Sequence, residues 1–286
     1  MLDFLYNTIV GRFILKILTA PVVSKICGAF LDSSASKVLI APFVHANSID
    51  LSQFYSDDFK CFNDCFARRI RPGKRSFDTD PGAFASPCDG LLTVYEINNG
   101  TVIPIKQSRY SVAALIHSKK LAARYEGGYC LVFRLCVNHY HRYAYFDNGV
   151  KGVNHFIAGK LHTVQPVALR GIPVFTENCR EFTVMNTENF GKVTQVEVGA
   201  MLVGKIHNFH ARHTFRRGEE KGCFLYGGST IILLVEKDRV VIDDKVLKAS
   251  AQGLETDVMM GMKIGDKRDG SFVTGRTPEL EQSGST

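Results

Sequence analysis

Apolar positions recur with helical spacing at the start of the chain. In residues 4–18 an apolar side chain returns at every fourth position, whereas Arg12 and Lys16 lie on the opposite side. This spacing predicts an amphipathic helix that ends before Pro21. The basic residues argue against a membrane span, so we expect the helix to lie on a membrane surface. Docking of the same apolar face on the protein's own core is the alternative.

The pattern stays helical up to about residue 70. A second helix is predicted over residues 22–30, and residues 37–70 are predicted to be mostly helical, with a cap at Asn47-Ser48-Ile49-Asp50. Prolines and glycines between residues 72 and 82 indicate a boundary. Residues 1–78 are therefore predicted to form a helical N-terminal region with membrane contact.

The pattern changes after Phe84, where short apolar segments alternate with turn signals such as Asn98-Asn99-Gly100 and Asp147-Asn148-Gly149. Strands are predicted at residues 91–97, 129–137, 194–206 and 230–235, with one helix near residues 111–116. This pattern is typical of an antiparallel β-domain, which we assign to residues 79–265. The predicted fold class is thus α+β, a helical membrane-associating region followed by a mainly antiparallel β-domain. Residues 266–286 are polar and predicted to be mobile.

One strand pattern is interrupted by Gly227-Gly228-Ser229-Thr230. A β-bulge or hairpin turn is the ordinary interpretation of paired glycines in a strand. A chemical interpretation also exists, in which the Ser229 hydroxyl attacks the Gly228 carbonyl and an N-to-O acyl shift forms an ester. Elimination would then break the ester and leave a new N-terminus that hydrolyses to a pyruvoyl group. These four residues alone do not select between the two interpretations.

Such self-cleavage needs a base and a group that orients the base. Candidate side chains are Asp89, in a Pro87-Cys88-Asp89-Gly90 turn, and the two histidines of Asn138-His139-Tyr140-His141-Arg142. A hairpin turn is the ordinary interpretation of the segment that contains Asp89. A structural or surface role is the default interpretation for each histidine.

Three further histidines, His207, His210 and His213, follow the predicted strand over residues 194–206. Their spacing is mixed and no carboxylate pattern accompanies them, so no metal site is predicted there.

Composition narrows the class of partner. The net charge of +7 favours a polyanion, and no nucleic-acid-binding motif accompanies the basic residues. An anionic phospholipid surface is therefore the expected partner, and nucleic acid is not expected. The eight cysteines lack paired zinc-like spacing, so reduced thiols are expected and no metal cofactor is predicted.

The order of motifs resembles the phosphatidylserine decarboxylase family from about Leu5 to Gly265. Each segment is weak alone, but their order and spacing together are specific. The segments that carry the resemblance are Pro87-Cys88-Asp89-Gly90, Tyr140-His141-Arg142, Val198-Gly199-Ala200, Arg217-Gly218-Glu219-Glu220-Lys221-Gly222 and Gly228-Ser229-Thr230.

The resemblance implies a self-cleaving proenzyme. Cleavage between Gly228 and Ser229 would give chains of residues 1–228 and 229–286 that stay together, with a pyruvoyl group made from Ser229 and no metal. The new carbonyl would form a Schiff base with the amine of phosphatidylserine, and loss of carbon dioxide would leave phosphatidylethanolamine. Arg142 and His139 would bind the substrate. The expected location is the cytoplasmic face of a bacterial-type inner membrane, peripherally bound, and a homo-oligomer is compatible with the sequence.

One position departs from the family pattern. The family commonly has a second histidine three positions after the first, as the base for self-cleavage, but Ala144 stands there. We therefore predict His141 as the base, held by Asp89, with His139 as the alternative. Ala144 also keeps a second function open, an unprocessed, non-catalytic lipid-binding relative.

Two other functions are weaker. Glu197-Val198-Gly199-Ala200-Met201 faintly resembles a biotinyl hairpin but has no central lysine. A pyruvoyl decarboxylase for a soluble amino acid would leave the N-terminal amphipathic helix without a role.

Overall fold

The computed structural model describes residues 8, 10, 21–98, 103–105, 108–160, 174–199, 205–225 and 229–268. The helix predicted over residues 4–18 lies outside these ranges apart from two positions, as does the terminal Gly284-Ser285-Thr286. Within the described residues, no helix is both long enough and apolar enough to cross a bilayer.

Helices are short and concentrate in the N-terminal region. The described α-helices are α1 (Pro21–Leu31), α2 (Ile40–Ala46), α3 (Phe62–Phe66), α4 (Val112–Ile116), α5 (Lys119–Ala122), α6 (Val174–Glu177) and α7 (Asp244–Ala251). Helix α1 confirms the helix predicted over residues 22–30. Residues 37–70 are helical only in pieces. The 3₁₀ turn at Ser34–Leu39 precedes α2, and α2 is separated from α3 by the 3₁₀ turn at Leu51–Gln53 and by Phe54, which forms an extended bridge with Ile70.

The helix caps follow the local sequence. The Asp50 side chain accepts a hydrogen bond from the Ser52 amide at 2.9 Å, which confirms a cap at this point. Ser111 caps α4 by accepting from the Ala114 amide at 3.0 Å, which confirms the helix predicted near residues 111–116.

Strands dominate the rest of the chain. They are β1 (Ala83–Ala85), β2 (Gly90–Glu96), β3 (Ile103–Ile105), β4 (Ser108–Tyr110), β5 (Tyr129–Leu135), β6 (Arg142–Ala144), β7 (Gly149–Lys151), β8 (His155–Ile157), β9 (Arg180–Thr187), β10 (Gly191–Val198), β11 (Ile206–Asn208), β12 (His213–Phe215), β13 (Glu220–Phe224), β14 (Ser229–Val235), β15 (Val240–Ile242), β16 (Thr256–Val258) and β17 (Lys263–Lys267). All their pairings are antiparallel. The mainly antiparallel β-architecture is thereby confirmed.

The central sheet has the strand order β12-β7-β9-β10-β14-β5-β2-β16, with β8 also paired to β9. Every residue of β14 is buried, and its side chains alternate between two apolar clusters. Ile232 and Leu234 pack on the side of α4, whereas Ile231 and Leu233 pack on the side of α7. The continuous apolar pattern of β14 follows from burial on both faces of the sheet.

Two smaller sheets flank the central one, in the orders β11-β13-β6 and β1-β17-β15. The single strand predicted over residues 194–206 is wrong, because β10 ends at Val198 in the central sheet and β11 begins at Ile206 in another sheet. Strand β17 continues to Lys267, so ordered structure extends past residue 265, the end expected for the β-domain.

Candidate active site

Two chain connections run between the same pair of sheets. Strand β5 pairs with β14 in the central sheet, and β6 pairs with β13 in a small sheet. The segment that joins β5 to β6 contains His139 and His141, and the segment that joins β13 to β14 leads to Ser229. Because both segments connect neighbouring strands in both sheets, the strand ends that they join lie next to each other. The fold thus places the candidate histidines beside the candidate cleavage site.

The register fixes the ends of these connections. Ser229 is paired with Leu135, the last residue of β5, and the Phe224 amide donates a hydrogen bond to the His141 carbonyl at 2.9 Å. One histidine-bearing connection therefore contacts the chain on both sides of residues 226–228, which lie outside the described ranges.

Asp89 lies at the same end of the central sheet. In the strand register, Leu91 of β2 is paired with Arg134 of β5, and Arg134 is paired with Thr230 of β14. Asp89 precedes Leu91 by two residues, and Ser229 directly precedes Thr230. Since adjacent strands are about 4.8 Å apart, the backbones of β2 and β14 are separated by about 10 Å here. The aspartate and the serine are thus neighbours through the sheet, although 140 positions separate them in the sequence.

Ser229 is almost completely buried, and its Oγ has no hydrogen-bond partner among the described residues. The adjacent Thr230 Oγ1 is in the same situation. A buried hydroxyl without a partner costs about 1–3 kcal/mol, and native structures contain few of them. This hydroxyl is consequently available to react with the preceding carbonyl.

His141 is fully buried, and its ring lies 4.0 Å, centroid to centroid, from the ring of Phe66. Burial, followed by the charge of Arg68, lowers the pKa of His141 to about 3, so the imidazole is neutral near pH 7. Its Nδ1 lies 3.0 Å from the His139 carbonyl, and its Nε2 is buried without a partner in the described part of the chain. A neutral imidazole with a vacant nitrogen can accept a proton.

His139, two residues before His141, is half-buried. Its Nδ1 accepts a hydrogen bond from the Cys136 amide at 3.1 Å, and Cys136 directly follows Leu135, the partner of Ser229. Burial lowers the pKa of His139, whereas the charges of Asp257 and Asp89 act in the opposite direction. His139 therefore lies within electrostatic reach of Asp89.

Asp89 is held by a different residue from the one predicted. Arg75 donates to both of its carboxylate oxygens, at 2.9 and 2.6 Å, and the Met260 amide donates to Oδ1 at 2.8 Å. The expected hydrogen bond between Asp89 and His141 is absent from the described contacts. Arg75 is the site residue that sequence reasoning missed; its only signal was its position in the basic run that precedes the β-domain.

Arg142 is also bound to protein groups. It forms an ion pair with Glu220 at 2.8 Å and donates to the Ala67 carbonyl at 2.9 Å. It lines a cavity of about 610 Å³ together with Arg69, His207 and Leu225, the last described residue before the cleavage site. Among the described residues, no carboxylate lies within ion-pair distance of Arg69.

Ala144 is buried in a small apolar cluster with Phe54, Tyr140 and Met260. Its amide donates to the Pro87 carbonyl at 2.9 Å. Position 144 is therefore close to the Asp89 turn, on the side where the Met260 amide binds the carboxylate. Apolar side chains fill the surroundings of this methyl group.

The expectation that no carboxylate accompanies the later histidines is wrong. Glu219 Oε1 lies 2.5 Å from His213 Nε2, and the His210 ring stacks on His213 at 3.8 Å. His207 does not belong to this group; its ring meets Phe209 edge-on at 5.2 Å. Because Glu219 follows His213 by six positions across a turn, no regular spacing in the sequence signals the contact.

Comparisons with known proteins agree with this geometry. The family model described as phosphatidylserine decarboxylase matches residues 62–266. The chain is 44% identical to phosphatidylserine decarboxylase proenzyme 2 of Clostridium acetobutylicum, over 94% of this chain and 92% of that protein. It is 40% identical to the phosphatidylserine decarboxylase proenzyme of Ruminiclostridium cellulolyticum over 94% and 92% of the two chains, and 39% identical to that of Clostridium botulinum strain Alaska E43 over 92% and 90%. The chain belongs to the phosphatidylserine decarboxylase family.

Proposed function

We propose that this chain is a self-processing decarboxylase that converts phosphatidylserine to phosphatidylethanolamine and carbon dioxide. The observation that carries the proposal is the buried Ser229 hydroxyl at the start of β14, which has no hydrogen-bond partner among the described residues and lies beside the connection that contains His139 and His141. The relatives are named as phosphatidylserine decarboxylase proenzymes.

Self-cleavage begins with the Ser229 hydroxyl. His141 accepts its proton as Oγ attacks the carbonyl of residue 228, and an ester replaces the peptide bond. Removal of the serine α-proton then expels the new C-terminal carboxylate and leaves a dehydroalanine, which takes up water and releases ammonia to give the pyruvoyl group. Asp89, fixed by Arg75, places a negative charge near His139 and favours the protonated form of that imidazole.

The residues around Ser229 fit a pyruvoyl group. The position is buried, its hydroxyl has no hydrogen bond within the part of the chain that the structure describes, and it lies at a strand end near the connection that contains two histidines. When present, the group supplies an electron-accepting carbonyl to the amine substrate. The chain's own residues exclude water with the apolar side chains of β14 and hold a proton on the imidazole of His139 or His141.

The cavity next to Leu225 is the proposed headgroup site. Arg69, Arg142 and His207 line it, and Arg69 has no described carboxylate within ion-pair distance. Since guanidinium groups bind phosphate strongly, we assign the phosphodiester to Arg69 together with Arg142. His139, half-buried between this region and Ser229, is assigned to the substrate's reacting end.

Membrane binding is proposed for the N-terminal region. On helix α1 the side chains of Val22, Ile26 and Phe30 recur every four residues and are 66, 67 and 48% exposed. An exposed apolar face of this size is typical of an interaction surface, and a lipid substrate requires access to a bilayer. We therefore place the enzyme peripherally on the cytoplasmic face of a bacterial-type inner membrane.

Intact mass spectrometry of the purified protein tests the central claim. Chains of residues 1–228 and 229–286, the second with a pyruvoyl N-terminus, are expected together with phosphatidylserine decarboxylase activity. An uncleaved chain without activity would instead support the non-catalytic lipid-binding relative that Ala144 leaves open.

A further inference from the structure

We propose that His210, His213 and Glu219 form a binding site for a divalent transition-metal ion of the zinc type. One ligand atom from each of the three residues lies within 4.8 Å of the other two. The three residues lie between β11 and β13: His210 precedes β12, His213 is its first residue, and Glu219 directly precedes β13. They take no part in the proposed cleavage or decarboxylation.

The donor set suits such an ion. Two imidazole nitrogens and one carboxylate oxygen are a common zinc-binding combination, with bonds of about 2.0–2.2 Å. Bonds of this length place tetrahedral ligands about 3.4 Å apart. Glu219 and His213 are already in contact at 2.5 Å, so the ion would replace the proton that they share. His210, stacked on His213, needs a side-chain rotation that moves its nitrogen by roughly 1 Å.

An independent observation concerns His210. Its Nδ1 is buried and has no hydrogen-bond partner among the described residues. A metal ion bound between His210 and the His213–Glu219 pair would give this nitrogen a partner.

The surrounding charges are compatible with a cation. Lys151 contacts the His210 carbonyl at 2.6 Å rather than the ring, and burial lowers the pKa of this lysine to about 8. The Arg216 amide donates to the second oxygen of Glu219 at 3.1 Å, so Oε1 remains for the ion.

The position indicates a structural rather than a catalytic ion. Glu219 directly precedes β13, and Leu225 follows the other end of that strand. Five residues at about 3.3 Å each separate the two ends by roughly 17 Å. The ion would link β12 of the central sheet to the start of β13 in a small sheet, and thereby fix the strand that leads to the cleavage site.

The test uses the untagged full-length protein after treatment with EDTA and removal of the chelator. Calorimetric titration with Zn²⁺ is expected to show one site per chain, and the ion is expected to raise Tm by several degrees. His210→Ala and Glu219→Gln should each weaken Zn²⁺ binding at least 10-fold and abolish the Tm shift. His45→Ala, which removes an exposed histidine on α2, should bind as the wild type does.

The Ser229→Ala variant distinguishes a failure of the metal-site proposal from a failure of the proposed function, because the metal site does not depend on self-cleavage. It should bind Zn²⁺ with wild-type affinity even though it stays uncleaved. Absence of binding at 100-fold molar excess of Zn²⁺ over wild-type protein would overturn the proposal. Equal binding by the wild type, His210→Ala and Glu219→Gln would overturn it as well.

Discussion

Arg75 binds both carboxylate oxygens of Asp89, and both side chains are about nine-tenths buried. The hydrogen bonds with Asp89 raise the pKa of Arg75, so its positive charge is permanent. The carboxylate therefore points in a fixed direction at the end of β2, close to the connection that contains the histidines.

We expect Arg75→Ala to lower the free energy of unfolding by about 3 kcal/mol, because it leaves a buried carboxylate without its countercharge. It should also slow self-cleavage, since Asp89 loses its orientation. Urea denaturation and a time course of cleavage measure the two effects. Lys37→Ala is the control, because its 3.7 Å pair with Asp58 is solvent-exposed and should contribute below about 1 kcal/mol. Equal effects of the two substitutions would contradict the role assigned to Arg75.

Replacement of the nucleophile should stop processing. Ser229→Ala is expected to yield one full-length, inactive chain, because no hydroxyl remains to attack the carbonyl of residue 228. Ser285→Ala, within the same Gly-Ser-Thr letters at the C-terminus, should be processed like the wild type. Gel mobility and intact mass distinguish these outcomes, and cleavage of Ser229→Ala at residue 228 would exclude the mechanism.

The two histidines should differ in their effect on cleavage. Loss of a general base costs on the order of 10²–10⁴ in rate, so His141→Gln should slow the appearance of the 1–228 fragment by that factor. His139→Gln should slow decarboxylation of the mature enzyme more than it slows cleavage. Pulse-labelled protein gives the cleavage rate, and carbon dioxide release gives the activity. Wild-type cleavage by His141→Gln together with a stalled His139→Gln would make His139 the base.

Acid should destabilise the protein through His141. Its pKa is about 3 in the folded state and about 6.5 when unfolded. Below pH 6.5 the unfolded chain binds a proton that the folded chain does not, so stability falls as the pH decreases towards 3. At about 1.4 kcal/mol per pKa unit, the loss by pH 3 is on the order of 4–5 kcal/mol. Urea midpoints measured between pH 7 and 4 should fall less steeply for His141→Gln; parallel curves would show that this imidazole is not buried neutral.

Membrane binding should depend on the exposed face of α1. Val22→Ser combined with Ile26→Ser is expected to weaken binding to phosphatidylglycerol vesicles at least 10-fold, with little effect on folding because both side chains are exposed. Val150→Ser, at a valine on β7 that is 50% exposed, is the matched control. Vesicle co-sedimentation provides the measurement. If the α1 variant instead unfolds, this face packs on the protein itself.

The local sequence determined the elements and the family. The continuous apolar pattern of residues 230–235 predicted a buried strand because each side chain of residues 231–235 packs in one of two apolar clusters. The segment that ends at Asp50 signalled a cap because short polar side chains satisfy free backbone amides at helix starts. The order of the Asp89, His141 and Ser229 motifs identified the phosphatidylserine decarboxylase family.

Tertiary structure alone decided which charged groups meet. Arg75 rather than His141 binds Asp89, and Glu219 reaches His213 across a turn. Such pairs depend on how separate segments fold back on each other, and no periodic pattern in the sequence encodes that contact. The same reason explains why the single strand predicted over residues 194–206 is wrong. The apolar pattern indicates strand propensity but does not indicate which sheet each part of the segment joins. Val198 ends one strand in the central sheet and Ile206 begins another in the sheet of β13, because pairing partners come from distant parts of the chain.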